Sequence, residues 1–270
     1  MSRDRILQIV VVILAITQVI SAFTIGGTIN SASTGVETGV EVIADQYPNQ
    51  FVPEDYVFAI WGPIYAGLLA FAYYQARPSR AADPALRAVR VPMAVAFFGN
   101  TIWIPFSIAD DQIATGIIIA VMLAALATAY AQLQRLPVAL TRREWWWIVA
   151  PISLFFGWIT IATVANFTLT LIYVGWDGLG IAAATWSSIL LVVATVIVSA
   201  MTIYGRGNII YGSVAIWAFV GIALRYADPV QTVATLMTLV VLAVIVLSNV
   251  QQYLANRNRD RSLPAERAAA

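Results

Sequence analysis

Eight long apolar stretches constrain the fold of this chain more than any other feature. Each is long enough to cross a bilayer as a helix, which takes about 20 residues. They lie near residues 6–27, 56–76, 91–109, 112–134, 147–173, 181–204, 208–226 and 230–254. Backbone N–H and C=O groups must be paired within a segment that lies in hydrocarbon. The sequence therefore predicts an all-α integral membrane protein with eight transmembrane helices.

The charged residues predict how these helices are oriented. If the N-terminus is cytoplasmic, fourteen of the fifteen cations fall on the inner side, as the positive-inside rule requires. The inner arginines are Arg3, Arg5, Arg77, Arg80, Arg87, Arg90, Arg135, Arg142, Arg143, Arg206, Arg257, Arg259, Arg261 and Arg267. Arg225 alone falls near the outer side, where we expect it to reach the headgroups or to pair with Asp228. Both termini are thus predicted to be cytoplasmic in a multi-pass protein of the plasma membrane, and the small net charge indicates no nucleic-acid partner.

Several residue types are missing, and their absence excludes some chemistry. The chain has no Cys and no His, so thiolate metal sites and the commonest haem and zinc ligands are excluded. All its cations are Arg, so no lysine can form a Schiff base with retinal. We therefore expect no metal site and no bound cofactor.

Two polar segments flank the predicted helices. Residues 28–55 form an unusually long outer loop, which is typical of either a lid over a binding site or a mobile acidic surface loop. Residues 256–270 are polar and aperiodic, and we expect a disordered cytoplasmic tail. The predicted division is a five-helix bundle over 1–175, three further helices over 176–255, and this tail.

Small residues recur at intervals of four in the fourth span. Gly116, Ala120, Ala124 and Thr128 form a ridge that lets another helix approach closely. The ridge fits either packing within one protomer or a homodimer through the Gly116, Ala120 and Ala124 face.

Three spans carry aromatic and polar residues at matching depth in the outer half of the membrane. An amide that faces lipid is costly, so Asn100 and Asn166 are predicted to point into the bundle. Indole and phenol rings offer stacking faces and a hydrogen-bond donor. These features predict a pocket for a flat, largely apolar ligand, although such stripes also serve plain helix packing. The predicted lining residues are Phe58, Trp61, Tyr65, Asn100, Trp103, Trp158, Ala162 and Asn166.

Three motifs support this pocket, one on each of the second, third and fifth spans. They read "NQFVPEDYVFAIWGPIY" from residue 49, "NTIWIP" from residue 100 and "WITIATVAN" from residue 158. In order and spacing they resemble the TspO/MBR family, the tryptophan-rich sensory proteins related to the mitochondrial translocator protein. The chain departs from the family pattern at Tyr56, where a Trp is usual, and at Glu54-Asp55, which replaces proline-rich sequence.

The resemblance covers residues 6–174, the whole five-helix bundle of the family. The three helices from 181 to 254 have no counterpart in the short members, so the chain looks like one of the longer ones. The family binds tetrapyrroles such as protoporphyrin IX, and the resemblance implies a membrane receptor or sensor with a tetrapyrrole pocket formed by the eight residues given above. Without His or Cys, a metal-free porphyrin is favoured over haem.

Two other functions stay open at the level of sequence. Eight spans could enclose a transport path for a small hydrophobic molecule, although no charged residue lies deep in a span to couple an ion. Porphyrin breakdown, known in the family, would use an electron-rich indole such as Trp61. No general acid–base pair accompanies that indole, so the sequence assigns no catalytic residue.

Overall fold

A computed structural model describes residues 2–25, 42, 44–45, 47, 49–137 and 139–262. In this part of the chain the secondary structure is helical, with no β-strand. Seven helices are long and apolar enough to cross a membrane, and one of 17 residues is shorter. A helix of 17 residues is at the lower end of what a bilayer requires. The predicted all-α membrane fold with eight helices is confirmed.

The helices follow the predicted order. They are α1 (Arg3–Thr24), α2 (Trp61–Ala76), α3 (Pro84–Ile108), α4 (Gln112–Gln134), α5 (Ala150–Tyr173), α6 (Ala183–Tyr204), α7 (Ile209–Arg225) and α8 (Val230–Ser262). A 3-10 helix, Asp55–Ile60, leads directly into α2. A helical turn, Arg142–Glu144, and a π-helix, Trp145–Val149, lead into α5.

Two helical segments begin earlier than hydropathy predicted, because capping and not apolarity sets their first residue. Helix α3 begins at Pro84, where the side chain of Asp83 accepts hydrogen bonds from the amides of Ala85 and Leu86. The segment leading into α5 begins at Arg142 behind a capping box of Thr141 and Glu144. Hydropathy marks only the part of a helix that lies in hydrocarbon, so it misses these polar first turns.

The C-terminal prediction differs from the structure. Helix α8 continues to Ser262, beyond residue 256, where the disordered tail was expected to begin. Extending an existing helix needs no new nucleation, so polar residues can continue it. Residues 263–270 lie outside the described part of the chain, as do most residues of the predicted loop 28–55.

Helix α5 is the centre of the molecule. It packs against α2, α4, α6 and α7, and 78% of its apolar window is buried, against 22% for α8. Helices α1 and α4 flank α3. Helices α6 and α8 pack on α7 and on each other, and α7 makes the broadest contact between the last three helices and α5. The proposed pocket and the last three helices therefore share one wall, α5.

A buried arginine joins three helices at one end of the bundle. Arg90 is fully buried, and its guanidinium donates to Gln75 Oε1 (3.2 Å) and to the carbonyls of Ala81 and Arg80 (both 2.7 Å). Asp4 of α1 lies 3.6 Å from the same guanidinium. These contacts fix the first turns of α1 and α3 at the arginine-rich end, beside the last turn of α2.

The small-residue ridge of α4 does not form one continuous exposed face. Gly116 is buried, and a Cβ on it would lie 3.0 Å from Thr170 Oγ1 of α5. Ala120 is half-buried and Ala124 is exposed. Gly116 therefore serves close packing of α4 on α5 within the chain, and a homodimer through the rest of this face stays a prediction.

Candidate functional site

A small apolar cavity lies between α2, α3, α4 and α5, and its volume is about 80 Å³. The stretch before α2 closes it on one side. The lining residues are Ala44, Phe51, Val52, Pro53, Phe58, Trp61, Asn100, Trp103, Ile119, Met122, Trp158, Ile159, Ile161, Ala162, Ala165, Asn166 and Leu169. The structure thus brings together seven of the eight predicted residues, on the three predicted helices and the turn before α2.

Tyr65 is the eighth predicted residue, and it lies behind the cavity wall. Its ring stacks on that of Trp61, with centroids 5.2 Å apart and planes at 22°. It is nearly buried, at 8% exposure. Tyr65 therefore supports the indole of Trp61 instead of lining the cavity itself.

Trp61 is the hub of an aromatic wall. Besides Tyr65, it meets Trp158 edge-on (6.1 Å, 79°) and Phe155 at a tilt (6.3 Å, 59°). Phe58 meets Trp158 edge-on as well (5.8 Å, 84°). Edge-on and offset stacked pairs are the favoured aromatic geometries, so these rings hold one another at fixed angles around the cavity.

Asn100 faces the bundle interior, as predicted from the cost of exposing an amide to lipid. It is 3% exposed, and its Nδ2 donates to Gln18 Oε1 of α1 at 3.1 Å. The same nitrogen lies 3.5 Å from the hydroxyl of Tyr65. Asn100 therefore joins α1, α2 and α3 while one side of it borders the cavity.

Asn166 joins α5 to two other helices, α3 and α4, in the same way. Its Oδ1 accepts from the indole N–H of Trp103 at 3.4 Å, and its Nδ2 donates to Thr115 Oγ1 at 3.2 Å. Thr115 belongs to α4, and Trp103 belongs to α3. The two amides are therefore fixed by protein hydrogen bonds, and each presents a defined edge to the cavity.

Trp158 has the one buried polar atom of the lining that has no hydrogen-bond partner among the described residues. Its side chain is 4% exposed, and its Nε1 is fully buried. A buried N–H that is left unpaired costs about 1–3 kcal/mol. The indole of Trp158 can therefore serve as a donor to an acceptor atom placed in the cavity.

The described lining contains no charged side chain. In the described residues, no cluster of three or more Asp or Glu could hold a metal ion either. The chemistry that the cavity offers is therefore stacking, apolar contact and neutral hydrogen bonds.

Sequence reasoning missed several residues around the cavity. Phe51, Val52 and Pro53 fold back over it from the end of the outer loop, and Met122 lines it from α4. Gln18 completes the polar contacts of Asn100. A polar residue inside the apolar first span was the available signal for Gln18, whereas α4 is apolar on all sides and gives no indication of which face is inward.

Comparison with models of protein families identifies the family of the chain. The family model described as TSPO-like protein matches residues 5–250. The chain belongs to the TSPO-like protein family. The match is not confined to the first five helices, because it continues through α6 and α7 and into α8. No curated protein and no solved structure gave a match to the chain. A TSPO-like protein with eight apolar helices resides in a lipid bilayer, and its family supports a general membrane-sensing or binding role.

Proposed function

We propose that this TSPO-like protein is a membrane receptor for a hydrophobic, planar ligand of the tetrapyrrole class. The observation that carries the proposal is the convergence of three tryptophans, two asparagines, Phe58 and Ala162 on one uncharged cavity. Trp61 and Trp158 offer aromatic surface to a flat ring system. The amide edges of Asn100 and Asn166 would orient its polar atoms.

The size of the cavity sets a condition on this proposal. Pockets for drug-sized ligands occupy about 300–1,000 Å³, whereas this cavity measures about 80 Å³. A tetrapyrrole therefore requires an opened form, in which Phe58 or the stretch 51–53 moves outward. The structure corresponds to the closed form of the proposed receptor.

A metal-free porphyrin suits the cavity better than haem. The chain has no His and no Cys, so the axial ligands of haem would have to be the thioether of Met122, which lines the cavity, and the phenol of Tyr65, which stacks behind Trp61. Axial ligation of haem iron by Tyr65 would require that stack to break. A spectral titration that shows tight six-coordinate haem would contradict this preference.

We further propose that the protein resides in the plasma membrane with both termini in the cytoplasm. The arginine-rich end described above would then face inward, as the positive-inside rule requires. The charge-free lining favours binding over ion-coupled transport, because coupling needs an ionisable group within the membrane.

The proposal is tested by quenching of tryptophan fluorescence with a series of porphyrins in lipid nanodiscs. Asn166→Ala removes an amide edge of the cavity, and we expect it to weaken protoporphyrin IX binding by about fivefold to tenfold. Asn249→Ala is the matched control, because Asn249 lies away from this cavity and bonds the carbonyls of Gly207 and Ile245. Equal affinities for the wild type and both variants would place the ligand elsewhere.

A further inference from the structure

The stretch that closes the cavity is here called the cover segment, residues 49–57. Its side chains and its backbone face different partners. Phe51, Val52 and Pro53 are buried and line the cavity. The backbone of the segment is hydrogen-bonded to α6, to α7 and to the residue that follows α7.

Five hydrogen bonds make this connection, and in each the cover segment contributes a main-chain atom. They are Tyr226 Oη to Asn49 O (3.2 Å), Gln50 N to Ser187 Oγ (3.2 Å), Arg225 Nη1 to Pro53 O (2.8 Å), Glu54 N to Gly221 O (3.4 Å) and Trp217 Nε1 to Val57 O (2.9 Å). Within the described residues, no hydrogen bond joins the cover segment to α1, α3, α4 or α5. The backbone of the cover segment is therefore held by α6, α7 and the residue that follows α7.

Packing reinforces these bonds. A Cβ on Gly221 would overlap Val57 Cγ2 and lie 3.1 Å from Pro53 Cβ, so the backbone of α7 meets the cover segment directly. The ring of Trp217 meets that of Tyr56 edge-on, with centroids 5.4 Å apart. These contacts occupy one face of α7, and its other neighbours are α5, α6 and α8.

Arg225 is the strongest single contact. Besides the carbonyl of Pro53, it binds Asp45 Oδ2 at 2.7 Å and lies 3.8 Å from Asp55 Oδ1. Of the two expectations for Arg225, the pair with Asp228 is wrong, because the carboxylate of Asp228 accepts from the amide and hydroxyl of Thr232 and so caps α8. Contact with the headgroups stays a prediction. Hydrogen bonds that involve an ionised group are about twice as strong as neutral ones.

We propose that the last three helices act as a latch: α7 and its neighbouring residues hold the cover segment shut and so set how fast a ligand enters and leaves the cavity. The identity of the ligand rests on the proposed function, whereas the latch itself does not. The coupling between the latch and ligand binding is reciprocal. A ligand that displaces the cover segment must also weaken the contacts between that segment and α7. The last three helices would thus respond to occupancy of a cavity that they do not line.

The first test needs no ligand. The chain has no cysteine, so Val52→Cys gives a single reporter at a site that is 2% exposed. Its rate of labelling by a maleimide in nanodiscs measures opening of the cover segment. We expect Arg225→Ala to raise this rate by about tenfold or more. Trp217→Phe, which keeps a ring but removes the N–H donor, should raise it less.

Control variants distinguish loss of the latch contacts from a general loss of protein stability. Arg257→Ala removes an exposed arginine of α8 and should leave labelling unchanged. Gly221→Ala perturbs the same contact by adding a methyl group instead of removing a donor, and it should also speed labelling. Hydrogen exchange of the amides of residues 50, 51, 52 and 54 checks the result in a chain without the Val52→Cys change. Unchanged labelling and exchange in Arg225→Ala, or an equal increase in Arg257→Ala, would overturn the latch.

The second test uses protoporphyrin IX and stopped-flow quenching. We expect Arg225→Ala to raise the association rate and to lower Kd, because a ligand that displaces the cover segment has already broken the contacts that this substitution removes. Absence of saturable quenching in every variant would refute the proposed ligand, and the labelling result would still decide the latch. Saturable binding with unchanged rates in Arg225→Ala would refute the latch alone.

Discussion

Trp158→Phe is the substitution that best separates a binding role from a packing role. In the empty protein, loss of the larger ring removes apolar contact worth about 1–2 kcal/mol. The same change also removes the buried, unpaired N–H of Trp158, and relief of that group stabilises by about 1–3 kcal/mol. The two effects offset each other, so we expect the free energy of unfolding to change by less than about 1 kcal/mol.

With a ligand bound, the loss of the indole N–H is no longer favourable. If the indole N–H donates to an acceptor on the ligand, Trp158→Phe loses that bond and part of the stacking surface. Affinity for protoporphyrin IX should then fall by about 1–2 kcal/mol, or roughly fivefold to thirtyfold. The expected signature is reduced affinity with nearly unchanged stability.

Two measurements check this signature. Unfolding in a denaturing detergent series gives the stability, and porphyrin absorbance titration gives the affinity without relying on tryptophan emission. Trp146→Phe is the matched control, because Trp146 is 57% exposed and far from the cavity in the π-helix. A drop of about 3 kcal/mol in stability with unchanged affinity would refute the reasoning and leave Trp158 as a packing residue.

Other predictions concern positions away from the cavity. Arg90→Ala leaves several acceptors unpaired around a fully buried site and should lower the free energy of unfolding by about 3–5 kcal/mol. Arg87→Ala removes an exposed arginine and should have a much smaller effect; detergent unfolding measures both. Gly157→Ala would place a methyl group 2.9 Å from a backbone carbonyl of α7 and should destabilise by about 1–3 kcal/mol, seen as a lower Tm. Tyr47 donates to Asp110, and burial together with this carboxylate holds the pKa of the phenol above its ordinary value. Its contribution to stability is therefore complete below about pH 10 and is lost as pH rises through the raised pKa; Tyr47→Phe should remove this dependence in an alkaline unfolding series.

The inward orientation of the two cavity amides was predictable, but their partners were not. The cost of an amide in lipid is a local property, so Asn100 and Asn166 could be assigned to the interior from their positions alone. Gln18 and Thr115 became identifiable as partners only with coordinates. Two apolar helices can meet through different faces, depending on how each is rotated and on their relative height. Hydropathy encodes neither of these.

Helix boundaries and the cover segment show a second limit of the sequence. The beginnings of α3 and of the segment before α5 depend on single capping side chains, which hydropathy ignores. Pro53 belongs to a recognisable motif, yet its position depends on contacts with α7, more than 150 residues later in the chain. No periodic pattern reports a contact of that sequence separation. For the same reason, Asp45 could not be recognised from the sequence as the partner of Arg225.

Closure of the cover segment depends on its peptide groups, and every residue type supplies a peptide carbonyl. Substitutions at Phe51 and Val52 can therefore reshape the cavity for a different molecule without erasing the attachment to α7. In the proposed latch, access would depend mainly on main-chain atoms and selectivity mainly on side chains, so evolution or an engineer could change one with little effect on the other.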